Sequence, residues 1–299
     1  MPDLKAVQRP ISKLPVTAKL SIPGSPDWVG IAPDAVWISN ATKNSISRID
    51  PASNKIVATV PVSEAPCSGL AVGFGSVWVP SCGDARIDRV DAATNKVVAQ
   101  IPTPVGDSEG GIAAGEGGVW MVADEAGTLL HIDPARNAIA ARIKTAPGSF
   151  VPAVGAGSVW VTSTQGNSVA RVDPRSHQVL AQIKVGLEPR FIAIGEGSVW
   201  TLNQGDGTVS RIDPNTNRMV ATIEVGKKEH RDGGDISVGN GFVWVTAKNV
   251  PLTQIDPATN SVRVQFVGKG GDALRVGRDA VWLCSFILEE VWRVPLPLP

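Results

Sequence analysis

The dipeptide Val-Trp recurs at a nearly constant interval, and this repeat limits the possible folds more than any other feature of the sequence. Successive copies stand about forty residues apart, a period that is typical of propellers and solenoids. The tryptophans of the repeat are Trp37, Trp78, Trp120, Trp160, Trp200, Trp244 and Trp282. A repeat that fills the chain in this way indicates one domain built from seven equivalent units.

Each unit contains the pattern of four short strands. In the fifth unit, strand a is the apolar run 191–195, and a Gly-x-Gly turn leads to strand b, which carries Trp200. Strand c ends in RIDPNTN (211–217), whose Asp, Pro and Asn favour a tight turn, and an alternating β-branched run forms strand d. Because one such sheet cannot bury both faces alone, we predict an all-β, seven-bladed β-propeller with four antiparallel strands per blade and the tryptophans packed between blades.

The two ends of the chain indicate how the ring closes. After Trp282 the chain offers only one further strand, at 291–294, so the seventh unit lacks its strand d. The segment 16–22 has the strand-d pattern and can pair there, which removes an open sheet edge. We therefore predict an N-terminal extension over 1–13 and a single propeller domain over 14–299, in which the N-terminal strand closes the last blade.

Several motifs resemble the bacterial propellers that include streptogramin B lyase and the YVTN-repeat extracytoplasmic proteins. They are GSVWV (75–79 and 157–161), EGSVW (196–200), VGLEP (185–189) and the RIDPxTN turns. The resemblance covers nearly the whole chain, from about Val16 to Pro295, and it implies a seven-bladed propeller. Since members of such folds perform many functions, it implies less about activity.

The resemblance to the lyases also implies where catalytic groups would stand. It places a catalytic histidine at Asp272, a second histidine at Gly234 and a catalytic glutamate at Phe286. The sequence departs from the lyase pattern at all three positions. The lyase groups and their magnesium site are therefore not carried over to this chain residue by residue.

Residues that open strand a surround the mouth of the central channel in a propeller, on the face formed by the d-to-a and b-to-c loops. Polar or aromatic side chains at or beside this position are Asp27, Trp28, Glu109, Arg190, Asp235 and Asp272. A regular repeat does not require such variety, so we predict that they bind a ligand. The alternative is that they are solvated loop residues or an internal ring of ion pairs.

The loop between the fifth and sixth units is irregular. It spans 226–235 and is rich in charged and titratable groups, among them His230. Histidine titrates near neutral pH and can act as a base or a ligand, so His230, Asp235 and Asp272 are the catalytic candidates. A solvated charged loop is the alternative.

The b-to-c loop of the seventh unit is apolar where the others are polar. Phe286 and Ile287 lie in it, and with Trp28 of the neighbouring first unit they can form an apolar wall beside the polar groups. Such a combination is the general form of a small-molecule site. Packing of Phe286 into its own blade is the alternative.

Three cysteines bear on the compartment. Cys67 precedes strand a of the second unit and Cys82 follows its strand b, so both lie at the same end of neighbouring antiparallel strands. We predict a disulfide between them, which implies a periplasmic or secreted protein whose leader is absent from this sequence. Cys284 lies within a strand, and we expect a buried free thiol.

Charge and motifs bound the function. Lys+Arg and Asp+Glu both number 28, which argues against a nucleic-acid partner, and no apolar run reaches the length of a membrane span. We expect a monomer that binds a small molecule or a protein partner at the channel mouth. The alternative is a lyase or hydrolase using His230, Asp235 and Asp272. No cofactor is predicted, although clustered carboxylates leave a divalent cation open.

Overall fold

Seven antiparallel sheets form a closed ring around a central channel, which confirms the predicted all-β seven-bladed propeller. The computed structural model describes residues 4–107, 109–226 and 233–298. Each blade has four strands in the order a-b-c-d, from the axis to the rim, and one sheet carries a fifth strand at its rim. No helix in the described part of the chain has the length and apolarity needed to span a bilayer.

The strand bounds follow the repeat. The first strands are β1 (Gln8–Pro10) and β2 (Ala18–Ser21), and blade 1 contains β3 (Pro26–Ile31), β4 (Val36–Asn40), β5 (Ser45–Asp50) and β6 (Lys55–Pro61). Blade 2 contains β7 (Ala71–Gly73), β8 (Ser76–Ser81), β9 (Arg86–Asp91) and β10 (Lys96–Pro102). Blade 3 contains β11 (Ile112–Gly115), β12 (Gly118–Asp124), β13 (Thr128–Asp133) and β14 (Ala138–Lys144).

The remaining blades repeat this arrangement. Blade 4 contains β15 (Ser149–Gly155), β16 (Ser158–Ser163), β17 (Ser168–Val172) and β18 (Val179–Lys184). Blade 5 contains β19 (Pro189–Gly195), β20 (Ser198–Asn203), β21 (Thr208–Asp213) and β22 (Arg218–Glu224). Blade 6 contains β23 (Ile236–Gly239), β24 (Phe242–Ala247), β25 (Val250–Asp256) and β26 (Ser261–Val267), and blade 7 contains β27 (Leu274–Val276), β28 (Ala280–Ser285) and β29 (Glu290–Pro295). Short 3-10 turns occur at Leu4–Val7, Ile11–Lys13 and Ala41–Lys43.

The tryptophans of the repeat are fully buried and fix the spacing between blades. Trp200 donates its indole N–H to the Gly195 carbonyl at 3.1 Å, and the guanidinium of Arg211 lies 4.9 Å from its ring centroid. Arg211 then donates to Asn260 at 2.9 Å, in the c-to-d turn of blade 6. One side chain of the repeat therefore joins the tryptophan of its own blade to the turn of the next.

The central channel is apolar. Its wall is built from strand a of every blade and encloses about 320 Å³, with Ile31, Val72, Ala114, Val154, Ile194, Val238 and Val276 each contributed by a different blade. Blades approach closely here, since a Cβ on Gly195 would meet Val238 at 2.6 Å. Most side chains that strand a contributes to this wall are apolar, whereas Ser237 and Arg275 are polar members of it.

The N-terminal segment completes two blades. As predicted from 16–22, a strand pairs antiparallel with β29 of blade 7, in the register Ala18 to Arg293. The repeat does not predict a second contact, in which β1 pairs in parallel with β26 as a fifth strand of blade 6. Leu20 and Ile22 are buried in the same apolar cluster as Trp282.

Deletion of residues 1–24 should lower the thermal unfolding midpoint by about 10 °C or more. The deletion removes Leu14, Leu20 and Ile22, each of which contributes about 1.5–3 kcal/mol through burial, and it uncovers β29. Deletion of 1–13 alone removes β1 but keeps β2, so its effect should be clearly smaller. Calorimetry of both variants checks the closure, and an unchanged midpoint after the longer deletion would contradict it.

Candidate functional site

Five charged side chains predicted from the repeat converge at one end of the channel. They line a small chamber of about 40 Å³, which we call the axial chamber and which is bounded by Asp27, Trp28, Glu109, Arg190, Phe191, Gln204, Gly233, Gly234, Asp235, Asp272 and Ala273. The pairing of β3 with β4 and of β19 with β20 shifts register where each strand a opens. Such irregularities re-aim side chains, which is how Asp27 and Arg190 reach this chamber from regular blades.

Asp27 and Asp272 form a carboxyl pair across the joint between blades 1 and 7. The two side chains are hydrogen-bonded to each other, and Asp272 Oδ1 also accepts from the Gly234 N–H at 2.7 Å. Burial is the largest cause that raises the pKa of Asp27 to about 6 and that of Asp272 to about 7. The charge of Asp27 raises the pKa of Asp272 further, whereas the hydrogen bond with Asp272 lowers that of Asp27. The pair therefore holds a shared proton close to neutral pH.

Glu109 and Arg190 form the opposite wall of the axial chamber. Arg190 Nη2 lies 3.4 Å from Glu109 Oε1, and its Nη1 donates to Gln204 Oε1 at 3.3 Å. Burial raises the pKa of Glu109 to about 7, although Arg190 acts in the opposite direction. The guanidinium stacks 4.4 Å from the ring centroid of Phe150, and Gln204 donates to the Gly233 carbonyl at 2.8 Å. This wall therefore presents a positioned cation beside a carboxyl that can carry a proton.

Asp235 borders the axial chamber, but it is buried and its carboxylate is bonded to protein groups. Its carboxylate forms an ion pair with Arg275 and accepts the N–H groups of Ile236 at 2.8 Å and Leu274 at 3.0 Å. Arg275 lies 5.1 Å from the ring centroid of Trp28 and also lines the apolar channel. Asp235, Arg275 and Trp28 thus form a floor between chamber and channel. For Asp235 the ion-pair alternative is the one that the geometry supports.

A second, larger cavity lies beside the axial chamber. We call it the apolar cleft; it measures about 410 Å³ and is lined by Gly233, Ala247, Lys248, Asn249, Lys269, Gly270, Gly271, Asp272, Ser285, Phe286, Ile287 and Leu288. Phe286 is 43% exposed and Ile287 is 75% exposed, so the blade 7 loop presents its apolar side chains to the cleft and to solvent. Gly233 and Asp272 belong to both cavities and join them.

The expected wall of Phe286, Ile287 and Trp28 forms without Trp28. The indole is only 4% exposed, because it lies in the floor of the axial chamber against Arg275 and 5.9 Å from the ring of Phe191. Trp28 therefore contacts the chamber, whereas the aromatic group of the cleft is Phe286. His230 lies outside the described residues.

Arg275, Gln204 and Phe150 belong to the site but were not singled out from the sequence. Arg275 stands seven residues before its strand-b tryptophan, where the other blades have Gly30, Ala71, Ala113, Ala153, Ala193 and Ser237. A count at this position of the repeat would have identified it. Gln204 follows strand b among other polar loop residues and gives no comparable signal. Within the described ranges, no three His, Cys, Asp or Glu side chains are arranged to hold a metal ion.

The predicted disulfide is present and supports the loop that carries Glu109. Cys67 and Cys82 are bonded, with their Cα atoms 5.1 Å apart. The Cys82 sulfur lies 3.3 Å from the Asp107 carbonyl oxygen, and a Cβ on Gly110 would meet the Cys67 Cβ at 2.5 Å. The loop therefore packs directly on the disulfide. Cys284 is a buried free thiol beneath Asp272, and burial raises its pKa.

Comparison with solved structures identifies proteins that share this fold. Virginiamycin B lyase from Staphylococcus aureus aligns with a TM-score of 0.79 and 17% identity over 93% of this chain and 98% of that one. A streptogramin B lyase aligns with a TM-score of 0.77 and 20% identity, covering 92% and 95%. This chain has the streptogramin B lyase propeller fold. Hydrazine synthase of Kuenenia stuttgartiensis aligns with a TM-score of 0.76 and 14% identity, covering 95% and 98%. Neither a family profile nor a curated protein sequence matches the chain.

The positions that the resemblance assigns to lyase catalysis do meet at this mouth. Asp272 and Gly234 lie in the axial chamber, and Phe286 lies in the apolar cleft. The three positions therefore lie at the same end of the channel, while their side chains depart from the lyase pattern. A carboxyl stands where the resemblance places an imidazole, and an apolar ring stands where it places a carboxylate.

Thiol titration of the denatured, unreduced protein should find one free thiol per chain, that of Cys284. The other two cysteines are consumed by the Cys67–Cys82 bond. After reduction the same titration should find three. Three free thiols before reduction, from a preparation protected against reductants, would contradict the disulfide.

The contribution of the axial chamber to stability should fall as the pH rises from about 4 to about 7, and Asp272→Asn should weaken this dependence relative to wild type. The folded-state pKa values of Asp27, Glu109 and Asp272 lie above the usual range, so the native state holds more protons than the unfolded chain in this interval. The variant should gain on the order of 1–3 kcal/mol relative to wild type across it. Urea unfolding at several pH values measures this, with the exposed carboxyl variant Glu125→Gln as control. Parallel pH profiles for Asp272→Asn and wild type would disprove the assignment.

Proposed function

We propose that this propeller binds a small molecule at the channel mouth, with a hydrogen-bonding group in the axial chamber and an apolar group in the apolar cleft. The observation that carries the proposal is the joint between the two cavities at Asp272. A chamber of convergent polar groups beside an apolar recess is the usual arrangement of a small-molecule site. A ligand that spans both contacts Asp272 on its way from one to the other.

The polar groups favour a ligand that both donates and accepts hydrogen bonds. Near neutral pH, Asp272 and Glu109 are each divided between a carboxylic acid, which donates, and a carboxylate, which accepts. Hydroxyl and amide groups suit such partners. Arg190 and Asp27 flank the same space, whereas Asp235 and Trp28 support its floor.

We also propose that the protein works outside the cytoplasm, in the periplasm or as a secreted monomer. The Cys67–Cys82 disulfide supports this, because such bonds persist in oxidising compartments. A protein partner could bind at the mouth in place of a small molecule. The exposed apolar side chains of Phe286 and Ile287 suit both kinds of ligand.

A lyase or hydrolase is the second candidate, and the raised pKa of Asp272 favours it. A carboxyl that titrates near pH 7 suits general acid–base catalysis, and this one stands where the resemblance places a catalytic histidine. Asp235 would then be a positioning residue, since Arg275 and two backbone N–H groups hold it. His230 remains a candidate base, with or without a divalent cation.

A thermal-shift screen followed by calorimetry on its hits tests the proposal. The panel should contain amphipathic metabolites, peptides and the chlorides of magnesium, calcium and manganese, because a ligand that binds only the folded state raises the midpoint. For a hit, Asp272→Ala and Arg190→Ala should each weaken binding about tenfold or more, which corresponds to about 1.4 kcal/mol. Ile287→Ser should weaken apolar hits only, and Glu125→Ala should change nothing. Full affinity in both chamber variants would place the site elsewhere.

Mass spectrometry of each hit after incubation separates binding from catalysis. If the protein is an enzyme, a product accumulates, and Asp272→Asn abolishes turnover while calorimetric binding persists. Repeating the assay with a chelator and with added magnesium tests the cation. Unchanged compound under all conditions leaves the binding function standing and removes the enzymatic one for that compound.

A further inference from the structure

The joint between blades 3 and 4 is built differently from its neighbours, on the face opposite the candidate site. In the joint between blades 4 and 5, Arg171 stacks 5.0 Å from the Trp160 ring centroid, donates from Nε to Ser158 at 2.8 Å and donates from Nη1 to Asn217 at 2.9 Å. Equivalent clamps are formed at two further joints by Arg89 with Ser76 and Asn137, and by Arg211 with Ser198 and Asn260. These three clamps carry a permanent charge and do not titrate near neutral pH.

Between blades 3 and 4, histidines replace both the arginine and the asparagine of the clamp. His131 stacks on Trp120 with ring centroids 4.3 Å apart and an interplanar angle of 9°. Its Nδ1 lies 2.9 Å from Nε2 of His177, which occupies the turn of blade 4 at φ 60°. One imidazole donates to the other, so this inter-blade bond requires that at least one ring nitrogen of the pair be unprotonated.

The third member of the clamp has changed to fit. Gly118 stands where the three arginine clamps described above have serine, and a Cβ at this position would meet His131 Nε2 at 2.2 Å. The imidazole therefore occupies the space that the serine side chain fills elsewhere. Gly118, His131 and His177 form one compensated set, which we call the histidine joint.

We propose that the histidine joint is a pH-sensitive link in the ring, closed while one imidazole of the pair is neutral and weakened in acid when both are charged. Two imidazolium groups at this separation repel each other and lose their shared hydrogen bond. The charged or titratable groups that act on His131 are His177, in the next blade, and Asp133, on its own strand. Asp133 favours the charged form of His131, but its carboxylate accepts hydrogen bonds from the N–H groups of Ala135 and Arg136 in its own turn.

Burial and the second imidazole act in the direction that the proposal requires. Both lower the pKa of His131, with burial the larger cause. A histidine whose folded-state pKa lies below its unfolded value of about 6.5 contributes stability that is fully present above that pH and is lost progressively as the pH falls from there through the folded-state pKa. The carboxyls of the axial chamber act in the opposite direction, so a test has to isolate the histidine joint from them.

Restoring the clamp of the other joints provides that isolation. The triple variant Gly118→Ser, His131→Arg, His177→Asn replaces the histidine joint but leaves the chamber untouched. The quantity to measure is the difference between the thermal unfolding midpoints of the triple variant and of wild type. We expect this difference to rise by about 2 °C or more when the pH is lowered from about 8 to about 5. Because chamber carboxyls contribute equally to both proteins, they cancel in this difference. A difference that is the same at both pH values overturns the proposal.

The converse transplant and a direct titration complete the test. A second triple variant, Ser158→Gly, Arg171→His, Asn217→His, installs a copy of the histidine joint between blades 4 and 5. It should be more acid-sensitive than wild type. The chain has three histidines, so NMR can follow each imidazole in the folded protein. His177→Asn should raise the pKa of His131 by removing its charged neighbour. A His131 titration that does not respond to His177→Asn contradicts the proposal even if a triple variant fails to fold.

Discussion

The packing of the repeat tryptophans between blades, reinforced at several joints by an arginine that reaches into the next blade, is the interaction on which the rest of the structure depends. A four-stranded sheet with two apolar faces has no stable monomeric form, and only a closed ring buries every face. The tryptophans set the distance between sheets, and the arginines fix their rotation by bonding to a turn of the neighbour. Closure then requires the last blade to be completed, which β2 accomplishes.

A rigid ring explains how the mouth can hold groups that are unfavourable to bury. Asp27, Glu109 and Asp272 are all largely removed from water, and burial raises the pKa of each. An isolated blade would relax to solvate such carboxyls. Because seven blades fix the openings of strand a, the carboxyls remain close and share protons instead. The disulfide between Cys67 and Cys82 adds to this rigidity where the Glu109 loop lies.

The architecture could be predicted well from the sequence because the fold repeats. A strand that is ambiguous in one unit can be assigned from the equivalent strands of the other units. The strand order, the closure over 16–22, the disulfide and the meeting of Asp27, Glu109, Arg190, Asp235 and Asp272 all follow from the phase of the repeat. What could not be predicted depends on side-chain direction. The repeat places both Asp235 and Asp272 near the mouth. Only the structure shows that Arg275 forms an ion pair with Asp235, whereas Asp272 lies between two cavities.

Residues that depart from the repeat are of two kinds. Some compensate one another in the packing between blades, and others converge on open space at the channel mouth. On the face opposite the mouth, Gly118, His131 and His177 differ from the clamp together, and each change fills space or satisfies a bond that another creates. Such compensation requires no ligand. At the mouth, Asp272, Arg190 and Phe286 come from different blades and converge on space that protein atoms leave open. Packing does not account for apolar side chains left in water beside buried carboxyls, and this contrast with the compensated histidine joint is what supports the proposed binding function.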